Sequence, residues 1–326
     1  MSQQEWKIDP KSATPPVILD PEDVASHRFC FMGEFGYEMV SWIPYLLFLR
    51  QKFGTPLRTM GRVGSSVFYY FSDDHIELTE PPGDCWGDIE LYRRIALAHP
   101  DEELIHPGPE PVNRRNIVIG NCDWRNRDIH ARIDTTHYVT PDYSFIRPPH
   151  QPERPTAVIN NKYFIQWPST FAEPINFLDR DSLIELSNLL VERGYDVIYN
   201  HYVEKTALDK HGIIDDHGIF GAGQAHTHDL REDYARCTSV LDRNRLQLAT
   251  YNAADLVIGP QGGNLYLPAI CRRKLFILMR AGNYIDYREL GRVYGIDVEA
   301  FYEPRHLVCW LSQNLPTVGA ALGEAA

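Results

Sequence analysis

The sequence predicts an α/β protein built from two parallel-sheet domains. Three observations favour this class. The chain has 326 residues, more than one hydrophobic core usually holds. A strand, a glycine turn and a helix occur in that order near each end of the chain, and a proline-rich stretch separates the two halves. Parallel strands need a crossover connection, which helices supply.

Composition and net charge limit the kinds of molecule that the protein is expected to bind. Hydrophobic residues make up 44% of the chain and charged residues 23%, as in an ordinary globular protein. The formal net charge of −12 argues against non-specific binding to nucleic acid or to an anionic membrane surface. No stretch resembles a signal peptide or a membrane span, and the six cysteines form no CxxC pair. We therefore expect a cytoplasmic protein with no nucleic-acid partner and no integral membrane segment.

The first glycine turn (residues 33–38, GEFGYE) follows a strand predicted at 27–32. Apolar spacing after the turn predicts a helix that ends at Gly54. Because open α/β sheets bind ligands at the carboxyl ends of their strands, we expect this turn to contact the substrate. The predicted substrate-binding residues are Gly33, Gly36, Tyr37 and Glu38.

Glu34 is the candidate catalytic residue of the first glycine turn. A carboxylate at a strand's carboxyl end can act as a general base by taking the proton of an attacking hydroxyl. The alternative is that Glu34 or Glu38 only places negative charge at the first turn of the following helix, where it is favourable. Both interpretations fit the sequence.

Weaker patterns fill the rest of the N-terminal half. They predict strands at 58–60 and 116–120 and a helix over Ile89–Ala98. The stretch 61–66 is not a P-loop, because it lacks GKS or GKT. The proline-rich stretch 141–155 resists both helix and central strand, so we place the domain boundary there, with domains at 1–150 and 151–326.

The C-terminal half begins with a strand predicted over Thr156–Asn160. Lys162 follows its carboxyl end and would pair with a diphosphate, or it is a solvated surface charge. A helix predicted over 179–194 leads to a strand at 195–199, which ends at the polar residue Asn200. Lys162 and Asn200 are both candidate donor contacts.

Four histidines lie between residues 211 and 228. His226 and His228, one residue apart, have the spacing of two metal ligands on a strand. No third ligand is spaced to complete a site, and the segment is loop-like, so structural or exposed histidines are favoured and no metal is expected. A short strand is predicted at 239–242, followed by a helix over 244–254.

The second glycine turn (residues 259–263) lies between a strand predicted at 255–258 and a helix predicted at 264–271. A strand at 274–279 and a last helix over Pro304–Asn314 follow. Its glycines let backbone approach a ligand, and the following helix start offers N–H groups to an anion. The alternative is a tight turn packed on its own sheet. The predicted donor contacts are Gly259, Gln261, Gly262, Gly263 and Asn264.

With these residues in place, the chain resembles GT-B glycosyltransferases, which have two Rossmann-like domains facing across a cleft. Segment 253–278 is similar to the pattern A-D-hydrophobic-hydrophobic-G-P-H-G-A-G-L-x-N of some GT-B enzymes, including plant and animal xylosyl- and GlcNAc-transferase relatives. The matching residues are Gly259, Pro260, Gly262 and Leu265. The residues that differ are Gln261 for histidine, Gly263 for alanine, Asn264 for glycine and Leu267 for asparagine. The first glycine turn is similar to the opening motif of bacterial polysaccharide-type transferases.

The resemblance implies a nucleotide-diphosphate sugar donor on the C-terminal domain and a glycan or other hydroxyl acceptor on the N-terminal domain. It further implies a metal-independent, inverting transfer with Glu34 as the base and no cofactor. Two alternatives stay open. One is a phosphoribosyl-type transferase that uses a sugar diphosphate without a base, and the other is a noncatalytic nucleotide- or sugar-binding protein.

Overall fold

The computed structural model describes residues 19–81, 89–108, 110–119, 125–126, 132–133, 135–148, 153–161, 177–201, 216, 218–220, 225–262, 265–279 and 287–318. Within these ranges the chain forms two parallel β-sheets flanked by helices, which confirms the predicted α/β class.

The first sheet is formed by the N-terminal half. Its strands are β1 (Arg28–Cys30), β2 (Arg58–Arg62), β3 (Asp74–Leu78), β4 (Leu104–His106) and β5 (Ile117–Val118). They pair in parallel in the order β3-β2-β1-β4-β5. The order reverses between β1 and β4, and such a switch point is where open α/β sheets bind ligands. The first glycine turn leaves the sheet at this point, directly after β1.

The helices of this half cover the sheet with apolar faces. They are α1 (Pro21–Ser26), α2 (Phe35–Tyr37), α3 (Ile43–Phe53) and α4 (Ile89–Ala98), with a 3₁₀ turn at Ser65–Val67. The helix predicted after the first glycine turn is confirmed, and Gly54 ends it at a φ of 65°. A π-helical turn at Glu38–Trp42 joins α2 to α3, a feature that the periodicity did not indicate. Such turns occur frequently at functional sites.

The second sheet is formed by the C-terminal half. Its strands are β8 (Thr156–Asn160), β9 (Asp196–Asn200), β10 (Thr227–Asp229), β11 (Leu256–Pro260), β12 (Lys274–Leu278) and β13 (Val298–Phe301). They are parallel in the order β10-β9-β8-β11-β12-β13. The strand order reverses between β8 and β11, which is therefore the switch point of this sheet. The second glycine turn begins beside it, at the end of β11. A separate antiparallel pair, β6 (Arg125–Asn126) and β7 (Arg132–Ile133), lies between the sheets in sequence.

The helices of the second half are α5 (Arg180–Glu192), α6 (Arg231–Arg236), α7 (Val240–Ala253), α8 (Tyr266–Ile270), α9 (Arg288–Tyr294) and α10 (Pro304–Asn314). The strand predicted at 239–242 is wrong. The Ser239 side chain accepts the N–H of Asp242 and caps α7, which begins at Val240, four residues before the predicted start at 244. The predicted histidine loop is also wrong in part, because Thr227–Asp229 is a strand.

Helices and loops of the two halves pack against each other. One buried apolar cluster includes Phe31 and Trp42 from the first half together with Leu265 and Leu267 from the second. Gly64 lies against the start of α7, and its carbonyl accepts a hydrogen bond of 2.8 Å from the Asn244 amide. This continuous core holds the two sheets in one arrangement. The boundary predicted near residue 150 lies between the last strand of the first sheet and the first of the second.

Two further observations concern the predicted environment. No helix in the described ranges is long and apolar enough to cross a membrane. Cys30 and Cys271 are buried free thiols, Cys237 is half-buried and Cys309 is exposed.

Candidate functional site

Glu34 lies at the start of the first glycine turn with its side chain exposed to solvent. It is the residue that precedes α2, and its side chain forms no N-cap hydrogen bond. Its carbonyl accepts the N–H of Glu38 at 3.1 Å, so the backbone of the turn is already helical beyond it. An exposed carboxylate at the carboxyl end of β1 has the placement that a general base requires.

Gly36 brings the first glycine turn into contact with the C-terminal half. A Cβ atom added to Gly36 would lie 2.7 Å from Cε2 and 3.1 Å from Cδ2 of Tyr266. Real Cβ atoms do not approach so closely, so only glycine allows the turn to pack flat on this ring. Tyr266 is the first residue of α8 and follows the second glycine turn closely in sequence. The two glycine turns therefore lie next to each other.

A tyrosine pair connects Glu34 with the second glycine turn. The rings of Tyr266 and Tyr287 stack at 5.8 Å, their side chains are hydrogen-bonded, and Tyr287 also hydrogen-bonds the backbone of Gly262. Burial raises the pKa of Tyr266 well above its usual value, and Tyr287 and Glu34 raise it further. Burial likewise raises the pKa of Tyr287 to about 12. Both phenols are therefore neutral at pH 7.

The second glycine turn is shaped by two of its glycines. A Cβ on Gly259 would lie 2.9 Å from the Asn160 carbonyl oxygen of the neighbouring strand, so this position admits no side chain. Gly262 has a φ of 145°, which L residues with side chains rarely adopt. Gln261 is buried, and its N–H donates to the Leu278 carbonyl at 2.9 Å. The described part of the turn is thus partly tied to its own sheet, as the alternative interpretation expected.

Asn200 lies inside the C-terminal domain. It is buried, and its amide nitrogen donates to Oδ1 of Asn160 at 2.9 Å and to the Tyr251 hydroxyl at 3.0 Å. Its Oδ1 accepts the Tyr234 hydroxyl at 2.9 Å. The side chain therefore has protein partners on both polar atoms. Asn200 orients the Asn160 side chain at the switch point of the second sheet. The Nδ2 atom of Asn160 is buried and has no hydrogen-bond partner among the described residues.

Glu38 lies beneath the first glycine turn. Its side chain is fully buried, with Oε1 accepting the Tyr69 hydroxyl at 2.7 Å and Oε2 at 2.8 Å from an Arg62 guanidinium nitrogen. Burial raises the pKa of Glu38, against the lowering effects of Arg62 and Tyr69. A direct substrate contact by this carboxylate would require displacement of both partners. Glu38 is also the first residue of the π-helical turn, so its charge lies in a first helical turn, as the alternative interpretation has it.

A second charged cluster lies at the carboxyl ends of β9 and β10. Asp216 accepts hydrogen bonds from Tyr199 at 2.5 Å, His201 at 2.6 Å and Arg231 at 2.8 Å. Burial raises the pKa of Asp216, but these three donors outweigh it and hold the pKa well below its usual value. Arg231 also pairs with Asp229. Of these residues only His201 has a sequence signal, because it directly follows Asn200 at the end of the strand predicted at 195–199.

Metal binding receives no support from the described histidines. His226 pairs with Asp196 at 2.9 Å, and His228 pairs with Asp233. Within the described ranges, no group of three or more histidine, cysteine, aspartate or glutamate side chains is arranged to hold a metal ion. Both histidine side chains are exposed, and each pairs with a carboxylate.

A cavity of about 670 Å³ lies away from the glycine turns. It is lined by linker residues such as Arg147 and Arg154 and by Asp255 and Arg273 at the amino ends of β11 and β12. None of the described candidate residues borders it, and the opposite, carboxyl edge of a parallel sheet is where ligands bind.

The structure thus places the candidates in three groups. The first group lies at or near the contact between the two halves and comprises Gly33, Glu34, Gly36, Tyr37 and Gly262. The second lies beside this contact, at the end of β11, and comprises Gly259 and Gln261. The third consists of two buried side chains that support the turns from below, Glu38 and Asn200. Lys162, Gly263 and Asn264 lie outside the described residues. Sequence reasoning did not identify Tyr266 or Arg62 as members of the site.

Comparison with known proteins addresses the fold. No protein-family model and no curated protein matches the chain. Among solved structures, the Escherichia coli ADP-heptose LPS heptosyltransferase II aligns over 92% of this chain and 100% of its own, with a TM-score of 0.53 and 11% identity. The Escherichia coli heptosyltransferase WaaC with ADP aligns over 88% of this chain and 97% of its own, with a TM-score of 0.51 and 12% identity. The chain therefore has the two-domain α/β fold of GT-B glycosyltransferases.

Proposed function

We propose that the protein is a glycosyltransferase that moves a sugar from a nucleotide-diphosphate donor to a hydroxyl of a glycan or other acceptor. The observation that carries the proposal is the contact of the two glycine turns within a GT-B fold. It brings the exposed Glu34 of one half beside the Gly262 and Tyr266 region of the other. One of the two similar structures is an ADP-heptose heptosyltransferase and the other is a heptosyltransferase with ADP, so an ADP-sugar is the first donor to test.

The proposed reaction is a single in-line displacement. Glu34 takes the proton of the acceptor hydroxyl as its oxygen bonds to the anomeric carbon of the donor sugar. The bond from that carbon to the diphosphate oxygen breaks, and the electron pair leaves with the nucleoside diphosphate. Attack opposite the leaving group inverts the anomeric centre. Holding both reactants in line supplies much of the rate, because the reaction becomes effectively unimolecular.

The donor would lie at the switch point of the C-terminal sheet. Gly259 and Gly262 keep the backbone clear of side chains there. Asn160, buried and held by Asn200, has an Nδ2 donor without a hydrogen-bond partner among the described residues. In this proposal Lys162, Gly263, Asn264 and Gln261 also contact the donor. The negative charge of the departing diphosphate would be stabilised by backbone N–H groups and by Lys162, with no metal ion required.

The test has two parts. Wild-type protein is incubated with ADP-heptose and with UDP-, GDP- and ADP-hexoses, and both the melting temperature and release of nucleoside diphosphate are measured. We expect at least one donor to raise the melting temperature and to be hydrolysed or transferred. If no nucleotide sugar has either effect, and a pentose diphosphate stabilises the protein instead, the phosphoribosyl-type alternative replaces the proposal.

Glu34→Gln separates an enzyme from a binding module. The amide has nearly the same shape but cannot accept the proton, so turnover falls by about 10²-fold or more while donor binding persists. The control is Glu185→Gln, an exposed carboxylate on α5 outside the contact between the turns. Turnover that survives Glu34→Gln would exclude Glu34 as the base, and donor binding without turnover in the wild type would favour the noncatalytic alternative.

A further inference from the structure

A half-buried cation lies directly beneath the first glycine turn. Arg62 is the last residue of β2, the strand that pairs with β1, and its side chain reaches under the turn that leaves β1. One guanidinium nitrogen, Nη2, donates to the Gly33 carbonyl at 2.6 Å and lies 2.8 Å from Oε2 of Glu38. These two partners stand one residue before and four residues after Glu34. A single side chain therefore fastens both ends of the segment that carries the exposed carboxylate.

Further contacts hold this arrangement from several sides. The second carboxylate oxygen of Glu38 accepts the Tyr69 hydroxyl at 2.7 Å, so the carboxylate cannot rotate away from Arg62 without losing a second bond. The guanidinium carbon lies 5.6 Å from the ring centre of Phe35, a residue of the same turn. Glu38 is fully buried and the Arg62 side chain is 20% exposed. Charged hydrogen bonds in such a setting are shorter and stronger than neutral ones.

The loop that follows Arg62 touches the other half of the molecule. Gly64 packs so closely on Val240 and Leu241 at the start of α7 that a Cβ would lie 2.7 Å from a Val240 methyl carbon. Asn244 of α7 donates to its carbonyl. Arg62 is thus fixed by its own strand on one side and by the docked C-terminal half on the other. Through its contacts with Gly33 and Glu38, Arg62 restrains the backbone on both sides of Glu34.

We propose that Arg62 is a positioning residue: by bridging the Gly33 carbonyl and the Glu38 carboxylate, it holds the first glycine turn in the conformation that aims Glu34 at the reacting hydroxyl. This inference rests on the proposed function for its catalytic consequence. Its structural consequence, an ordered first glycine turn, is independent of any substrate. Arg62 itself touches neither reactant in this proposal.

The experiment compares Arg62→Ala and Arg62→Lys with wild type, and uses Arg58→Ala as the matched control. Arg58 lies at the other end of β2, where it pairs with Glu102 and the Ser26 carbonyl. Hydrogen exchange followed by mass spectrometry reports the order of peptides covering 33–38. Turnover of the donor found for the wild type gives kcat and KM, and each variant is also assayed with added guanidinium ion at millimolar concentration.

We expect Arg62→Ala to exchange the amides of 33–38 at least about tenfold faster and to lower kcat by about 10- to 100-fold, because small displacements of a reacting group are costly. Donor KM stays within about twofold, since the donor binds the other half. Added guanidinium partly restores kcat in Arg62→Ala and has no such effect in Arg58→Ala. Arg62→Lys retains a charge beside Glu38 but lacks the guanidinium plane that lies against the Phe35 ring, so it is intermediate.

Two results would overturn the inference. One is unchanged exchange over 33–38 in Arg62→Ala together with unchanged kcat. The other is an equal loss in Arg58→Ala, which would show general weakening of β2. If Arg62→Ala does not fold, Arg62→Lys gives the same comparison. A wild type that processes no nucleotide sugar refutes the proposed function, whereas faster exchange of 33–38 in the variants would still support the positioning role.

Discussion

Replacing Gly36 with alanine tests the contact between the two glycine turns. The added Cβ would lie 2.7 Å from Cε2 of Tyr266, about 1 Å inside a normal carbon contact. Tyr266 cannot move aside freely, because its ring is buried and stacks on Tyr287 at 5.8 Å. Overpacking of this kind costs about 1–3 kcal/mol. Alanine is otherwise the better helix former by up to about 1 kcal/mol, so we expect a net loss of about 1–2 kcal/mol.

The assay is differential scanning calorimetry, in which this loss lowers the melting temperature by about 2–6 °C. A double-mutant cycle with Tyr266→Leu identifies the cause, since the shorter side chain has no atom at the Cε2 position. If the clash is responsible, Gly36→Ala is less destabilising in the Tyr266→Leu background than in the wild type. Equal or greater stability of Gly36→Ala in the wild-type background would refute the reasoning.

Two other variants test buried polar groups. Neither ring nitrogen of fully buried His106 has a hydrogen-bond partner among the described residues, and burial lowers its pKa to about 4. His106→Leu should therefore raise stability at pH 7 by about 1 kcal/mol. Because the unfolded chain takes up the proton first, the wild type loses up to roughly 3 kcal/mol between about pH 6.5 and pH 4, and the variant lacks this loss. The control is His27→Leu, which removes a ring hydrogen-bonded to the Asp23 and Arg115 carbonyls and should lower the stability of the protein. Equal changes in stability for His106→Leu and His27→Leu would contradict the argument. Asp216→Asn should cost about 2 kcal/mol in urea unfolding, because it removes the negative charge and replaces one of the two oxygens that accept from three donors by an NH₂ group. The control Asp297→Asn changes an exposed partner of Lys274 and should alter stability by less than about 0.5 kcal/mol. A similarly small effect at Asp216 would exclude a structural role for its charge.

Local rules were sufficient for most elements of the fold. Gly54 and Gly194 end helices where the sequence indicated, both with positive φ. The strand over Thr156–Asn160 and the helices over Ile89–Ala98 and Pro304–Asn314 have the predicted bounds. The failures have local causes. A serine cap at Ser239 was taken for part of a strand, and the short strand β10 was hidden because its three residues, THD, have no apolar pattern.

Site residues were harder to predict, because burial and partners depend on distant parts of the chain. Glu34 and Glu38 occupy the same turn and are the same residue type, but one is exposed and the other fully buried. The difference arises because Arg62 and Tyr69, which belong to other elements, lie against the Glu38 carboxylate. Tyr266 gave no signal in the sequence, since its importance comes from a ring placed against a glycine some 230 positions away.

The sequence by itself determined two parallel-sheet halves, a glycine turn after a strand in each, and a proline-rich stretch between them. It could do so because periodicity, caps and glycine conformation act within a few residues. Only the tertiary structure decided that the two turns touch through Gly36 and Tyr266, that Arg62 holds the segment around Glu34, and that Asn200 supports Asn160 from inside. Such contacts join residues far apart in sequence, and they exist only once both sheets have formed and packed on their shared apolar core.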